Sequence, residues 1–299
     1  MSERLLEAEQ ITTQERSMFN LVITRFRRHR MAMISLGVFV LLVLFSFVGP
    51  LVWKWPHTMV REIPSLSPPT LDHPFGTTRA GQDNFAMVMR GSQQSLKVAF
   101  TVAILSVGIG SAWGAIAGFY RGWIDAIMMR FVDIIFVLPF LAVAAALAGA
   151  VDGGVGWFEI ALVLGLLGWV GTARVVRGQV LSIREQEYIE AARAAGASDT
   201  RIIFRHLVPN ATSVIIVAAT LEMAVAILSE SALSFIGLGI QSPDTSLGSQ
   251  VSDSVGAAFT RPWLFYFPGV FLILICLTIN FIGDGLRDAL DPRQTGGRK

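Results

Sequence analysis

Long uncharged apolar runs alternate with polar, charged segments along the whole chain. Met31–Val52 is uncharged from end to end, and Val98–Tyr120 is a second such run. Phe131–Ala150 follows, with Asp133 near its start and Pro139 inside it, and then the shorter, Gly-rich Trp157–Ala173 with Glu159 at its edge. Pro209–Ile240 is interrupted by Glu222 and Glu230, and Trp263–Ile282 is again uncharged. At 1.5 Å per residue, about 20 apolar residues in a helix cross roughly 30 Å of hydrocarbon. The pattern therefore predicts an all-α integral membrane protein with six transmembrane helices.

Composition agrees: 53% of the 299 residues are hydrophobic and 15% charged, against about 25% charged in soluble domains. The first thirty residues are polar and charged, and the first apolar run is too long for a secretory signal, so it is expected to remain as an anchor. Cys276 is the single cysteine, which excludes an internal disulfide or a cysteine metal cluster.

Charge sets the expected orientation, because Lys and Arg gather on cytoplasmic loops. The segment before the first span, alternate connecting loops and the C-terminal tail hold 18 of the 24 basic residues. Both termini are thus expected in the cytoplasm. Residues 1–30 form a cytoplasmic N-terminal segment, 31–283 the transmembrane domain, and 284–299 a cytoplasmic tail. An outer loop covers about 53–90 and an inner loop about 174–208. Phe19, Val22, Ile23 and Phe26 recur at helical spacing among arginines. That is the pattern of an amphipathic helix lying in the membrane interface against lipid, or of a simple basic flank. The outer loop is rich in proline (Pro56, Pro64, Pro68, Pro69, Pro74), which disfavours regular structure. The second outer loop, Gly237–Pro262, is polar and rich in Gly and Ser.

The inner loop is the most informative segment. Glu187-Tyr188-Ile189-Glu190-Ala191-Ala192-Arg193-Ala194-Ala195-Gly196 is a charged, Ala-rich helix pattern, with Pro209-Asn210 thirteen residues on. Tyr188, Ala191, Ala192 and Ala195 share one face, where small side chains let a partner approach closely. Glu190 and Arg193 are spaced to pair at i, i+3. Gly196 can take the left-handed conformation that ends a helix. Ser198 or Asp199 can cap the next short helix, which carries Arg201 and runs through Arg205. Pro209 pushes Val208 toward an extended conformation.

This spacing resembles the loop by which permeases of ABC importers grip their ATPase subunits. Further segments are similar to the peptide and nickel group of those permeases. They are His73-Pro74-Phe75-Gly76-Thr77, Met129 to Asp133 with Pro139, Leu233 to Gly239, and Gly283 to Pro292. The last resembles the second, oligopeptide-type permease of a pair. Two departures stand out. His206-Leu207-Val208-Pro209 replaces the more general Ile-x-Leu-Pro, and Gln82 stands where similar chains often carry Arg.

The resemblance implies a type I ABC importer permease fold with cytoplasmic coupling helices. It further implies a pore subunit moving oligopeptides across a bacterial inner membrane, with a homologous sister permease, two cytoplasmic ATPase subunits or domains, and an extracytoplasmic substrate-binding protein. Tyr188, Glu190, Ala191, Ala192, Ala195, Gly196, Arg201 and Pro209 would carry ATPase coupling. Dipeptides or nickel are alternative cargoes of the same machinery. ATP and Mg would be used by the partner ATPases. This chain has no Gly-x-x-x-x-Gly-Lys phosphate loop, and its four histidines show no metal-ligand spacing. No cofactor of its own and no nucleic acid is expected.

Glu222 and Glu230 need a separate account, since an unpaired carboxylate in hydrocarbon is costly. Eight residues apart, they lie within about 80° on a helix, so both can face one substrate pathway, or each can be hydrogen-bonded inside the bundle. Gly110, Gly114 and Gly118 form a small-residue stripe suited to packing within the subunit or against a partner permease, and Arg130 and Asp133 are spaced as an ion pair. A secondary transporter working without ATPases is the rival reading. Such transporters commonly show internal repeats, and none is evident here.

Overall fold

The computed structural model describes residues 18–60, 64–151 and 155–290. Every regular element among them is helical, apart from one antiparallel bridge between Thr77 and Asp83. Helix α1 covers Met18–Arg28 and α2 Arg30–Phe47, followed by a single turn at Gly49–Val52. Helix α3 is Asn84–Tyr120, α4 Gly122–Val137, α5 Phe140–Gly149 and α6 Trp157–Ile183. The short α7 (Glu187–Ala194) and α8 (Asp199–Ile202) lead through a π-turn, Ile203–Leu207, to a helical turn at Val208–Asn210. Helix α9 spans Thr212–Phe235, α10 Leu247–Ser254 and α11 Pro262–Leu290.

Helices α2, α3, α6, α9 and α11 are each long and apolar enough to cross a membrane. Helices α4 and α5 are long and apolar enough only when taken together, and the pair is bent by 79° at Leu138–Pro139, the geometry of a broken span or a re-entrant loop. Proline has no N–H to continue the helix and disfavours helical geometry in the residue before it. Leu138 is accordingly extended, at φ −67°, ψ 138°.

Several helices overrun the apolar runs that announced them. Helix α3 begins fourteen residues before Val98, so the outer loop ends at Asp83. Helix α6 continues to Ile183, so the irregular part of the loop that leads to α7 begins at Arg184, and α11 runs on past residue 283 to Leu290. The charged ends persist as helix because each finds a partner on a neighbouring element. Arg177 clamps Asp125 of α4 through two bonds of 2.5 and 2.6 Å. Arg174 bonds Asp133 at 2.7 Å and lies over the Phe136 ring. Asp133 is thus paired across helices, not with Arg130 as its spacing suggested.

The glycine stripe of α3 packs within the subunit. A Cβ on Gly110 would lie 2.6 Å from Trp169 O, and one on Gly114 would lie 2.3 Å from Ala173 O. Only glycine lets α3 and α6 approach this closely. At the same end of the bundle as α7, α1 lies against the end of α11: Phe26 and Ala32 close on Gly285, and His29 Nε2 is 3.5 Å from Asp288. Val22, Ile23 and Phe26 are half-buried there, while Arg27 and Arg28 are exposed. The side chain of Phe19, residues 152–154 and the tail from Asp291 lie outside the described residues.

At the opposite end, the proline-rich loop is tied down by Asp83. Its carboxylate caps α3 through Ala86 N–H and accepts from Trp53 Nε1 at 2.7 Å, with His73 Nδ1 at 2.9 Å. Phe75 stacks on Phe267 at 3.9 Å, and Gly76 takes φ +69° against the Trp263 ring. The His73–Thr77 motif is therefore the fastening of this loop to α3 and α11. Gln82 serves the same purpose without charge, donating to His57 O at 3.0 Å.

Candidate functional site

Most residues singled out by sequence gather in two places, the loop between α6 and α9 and a partly open cavity beside the α4–α5 break.

Helix α7 is held against the bundle by one side chain. Ile189 is fully buried among Phe119, Val180, Ile183 and Ile202. The rest of the helix is open: Tyr188, Glu190, Ala191, Arg193 and Ala195 are all exposed, and Ala192 is half-buried. Desolvation keeps the Tyr188 phenol above its ordinary pKa, hence neutral. Gly196, at φ +79°, ends the helix. Ala197 N–H bonds Ala192 O at 3.1 Å and Gly196 N–H bonds Arg193 O at 3.0 Å, the paired closure known as a Schellman motif. Ser198 then caps α8, accepting from Arg201 N–H.

Two local expectations are corrected here. Glu190 and Arg193 do not pair; Arg193 lies 5.7 Å from the Phe119 ring centre instead. Val208 is helical, at φ −60°, ψ −46°, and not extended. The π-turn immediately before Pro209 widens the backbone, which leaves room for the proline ring where a regular turn would press a carbonyl against it. Arg201 and Pro209 are exposed on the same loop, and Phe204 adds an exposed aromatic face that the motif did not mark.

The cavity has a volume of about 370 Å³ and lies where α4 breaks into α5, against α3, α6 and α9. Among the described residues, Glu222 and Ser229 are its only polar side chains; Val102, Phe136, Phe140 and Leu164 are among the apolar ones. Glu222 has room because Gly168 and Gly171 of α6 face it. A Cβ on Gly168 would lie 3.2 Å from Glu222 Oε2.

Glu230 belongs elsewhere. It is fully buried and one of its oxygens accepts from Ser234 at 2.8 Å and Ser246 at 2.6 Å. Ser246 caps the start of α10, so this contact ties α9 to the loop between α9 and α11. That loop is packed, not merely polar. Asp244 takes a two-point bond from Arg90 (2.8 and 3.0 Å), and Gln250 donates to Met87 O at 2.7 Å. Leu247 is fully buried. The two carboxylates that share a helix face in sequence are thus parted by their surroundings.

Among the described residues, five helices able to cross a membrane and one bent pair, with a surface helix exposed at one end, define a multi-pass membrane protein. Residues 110–296 match the family described as "Binding-protein-dependent transport system inner membrane component". Residues 17–69 match the "N-terminal TM domain of oligopeptide transport permease C". The chain belongs to the binding-protein-dependent inner-membrane component family, the permeases of ABC importers.

Relatives span the chain almost end to end. It is 40% identical to the oligopeptide transport system permease protein OppC of Mycobacterium tuberculosis (strain ATCC 25618 / H37Rv), covering 96% of this chain and 99% of that one. It is 37% identical to OppC of Bacillus subtilis (strain 168) over 96% of this chain and 93% of the relative. To the dipeptide transport system permease protein DppC of the same organism it is 40% identical, over 90% of this chain and 84% of that one. Among solved structures, a permease chain of the inward-facing MetNI methionine ABC transporter aligns with a TM-score of 0.57 at 20% identity, over 69% of this chain and 97% of that one. That likeness establishes the fold.

Proposed function

We propose that this chain is one of two pore-forming permeases of an importer for oligopeptides, with α7 as the helix that docks in an ATPase subunit. The observation that carries the reading is α7 itself. It is a short polar helix closed by Gly196, pinned by Ile189, with small and aromatic side chains turned outward. The likeness to OppC proteins supports the oligopeptide cargo, and the likeness to DppC makes dipeptides the nearest alternative. The charge distribution supports both termini and α7 on the cytoplasmic side of a bacterial inner membrane.

In this reading a sister permease completes the pore, two cytoplasmic ATPase subunits or domains use ATP and Mg, and an extracytoplasmic binding protein delivers the peptide. ATP binding draws the ATPases together and displaces the docked α7 helices. Because Ile189 and Ile202 tie α7 and α8 to the ends of α3 and α6, displacement of the loop is transmitted to the spanning helices. ATP shifts the pore toward its outward-facing state only as far as its affinity differs between the two states. The chain makes and breaks no covalent bond.

Reconstitution tests this. Vesicles holding the chain alone should neither hydrolyse ATP nor take up peptide. Adding the sister permease and ATPases should give hydrolysis that rises with peptide-loaded binding protein. Peptide uptake by the chain alone under a proton gradient would establish the secondary-transporter reading in its place.

A further inference from the structure

We infer that the cavity at the α4–α5 break is a recognition site for a protonated amine of the translocated peptide, with Glu222 as its counter-charge. The inference rests on the peptide-permease reading and adds a chemical preference to it.

Three features of the cavity converge on a cation. First, among the described residues Glu222 makes no hydrogen bond and no ion pair, in contrast to Glu230, Asp125, Asp133 and Asp244, each held by one or more partners. A carboxylate in an apolar surround is costly unless it meets a cation or water. Among the described residues, Glu222 is the one carboxylate lining this cavity, and it is left open to it. Second, Ser229 lies seven residues on along α9, close to two helical turns, so its side chain falls on the same face about 10 Å away. Ser229 lines the same cavity, and it too has no hydrogen bond among the described residues, whereas Ser231 and Ser234 are bonded. Third, α4 ends at Val137 beside the cavity lining residues Phe136 and Leu138. A helix end leaves its last carbonyls without intrahelical donors and carries partial negative charge.

The remaining walls are aliphatic and phenyl, which suits peptide side chains of varied shape. The face of Phe140 can also attract an ammonium group, whereas Phe136 already lies under Arg174. At about 370 Å³, the space falls within the roughly 300–1,000 Å³ that encloses a small organic ligand. It therefore accommodates a short stretch of peptide and no large folded cargo. The amine can be the peptide's own N-terminus or a lysine side chain.

The test uses the assembled complex with Cys276→Ala and Ser229→Cys, which places a thiol inside the cavity. Labelling rates are compared for a cationic methanethiosulfonate (trimethylammonium-ethyl) and an anionic one (sulfonato-ethyl). Each is normalised to that reagent's rate with a free thiol. With Glu222 present, the cationic reagent should be favoured roughly tenfold or more, as charged clefts concentrate counter-ions. Glu222→Asp should keep the preference and Glu222→Gln should abolish it. Equal normalised rates with Glu222 intact would overturn the inference. So would a preference surviving Glu222→Gln, or a thiol unreactive in both the nucleotide-free and ATP-bound complex.

Uptake of trialanine, acetyl-trialanine and acetyl-Ala-Lys-Ala separates the sources of the amine. Each is expressed as the ratio of the Glu222→Gln complex to the parent, which removes the contribution of the binding protein. Loss confined to trialanine assigns the N-terminus, and loss shared with acetyl-Ala-Lys-Ala assigns any amine. Equal loss for all three peptides would overturn the inference. Cation-selective labelling in a complex that imports none of them with ATP would instead refute the permease reading.

Discussion

Gly196 sits at φ +79°, where a β-branched side chain collides with its own backbone. Gly196→Val should cost about 1–2 kcal/mol locally and unseat α7 while the spanning helices remain inserted. Membrane abundance should hold while co-purification of the ATPases falls. Unchanged co-purification would show that the turn is dispensable. Ser246 offers a contrasting case. It donates to the fully buried Glu230, so Ser246→Ala strips a buried carboxylate of one of its two donors. Leaving such a group short of a donor costs about 1–3 kcal/mol, and the detergent-solubilised protein should melt at lower temperature. An unaltered melting temperature would contradict the role given to this bond. Residues of the first kind are legible in sequence, because a glycine after an Ala-rich helix declares its own backbone conformation. The pairing of Asp133 with Arg174 is not, because a neighbour at i, i+3 competes with one brought in by tertiary packing. Nothing local to Glu222 or Glu230 says which is bonded: Ser234, on the same helix, is within reach of Glu230, but Ser246 comes from another element and Glu222 meets no partner among the described residues.

Among the elements, α7 shows how far pattern alone carries. Its polar, small-residue character and its place between two spans mark it as a surface helix. Which face it buries is decided by Ile189, a single apolar residue in a polar stretch. The structure turns Ala191 and Ala195 outward more fully than Ala192. Ala191→Asp should therefore block close approach of a partner while leaving the packing of α7 untouched. Less than about a tenth of the parent's ATPase co-purification is expected, equivalent to about 1.4 kcal/mol or more of binding, with Ala191→Ser close to the parent. Equal capture by both variants would mean that another face docks. Helix α10 is the opposite lesson. Its Ser, Gly and Gln residues read as an exposed loop, yet Gly248 meets the Ser231 backbone and Gln250 reaches Met87. Serine and glycine favour loops on their own, and here they serve as small, hydrogen-bonding surfaces between helices. The start of α3 was hidden for the same reason: Arg90 and Gln94 look like loop residues until Asp244 meets both of them.

For the whole molecule, the six apolar runs yield five helices each able to cross the membrane and one bent pair, all helical because the bilayer demands internally bonded backbone. The 79° break at Pro139 sets that pair apart. The orientation proposed from the Lys/Arg count is testable at exposed positions. Leu71 is fully exposed on the loop fastened by Asp83, and Ser198 is exposed beside α7. Reporter fusions at Leu71 should read outside and at Ser198 inside; the reverse pair would invert the arrangement. Gly248 is a poor fusion site, since it is wedged against Ser231. The central claim is that ATP hydrolysed by a partner moves peptide through this subunit by way of α7. Its most direct test is ATP-dependent uptake of a labelled oligopeptide into vesicles holding the full complex, with and without Ala191→Asp. The account predicts uptake that requires ATP and falls at least about tenfold in the variant, equivalent to about 1.4 kcal/mol, at equal permease content. Uptake that proceeds without ATP, or that is the same with Ala191→Asp, would contradict it.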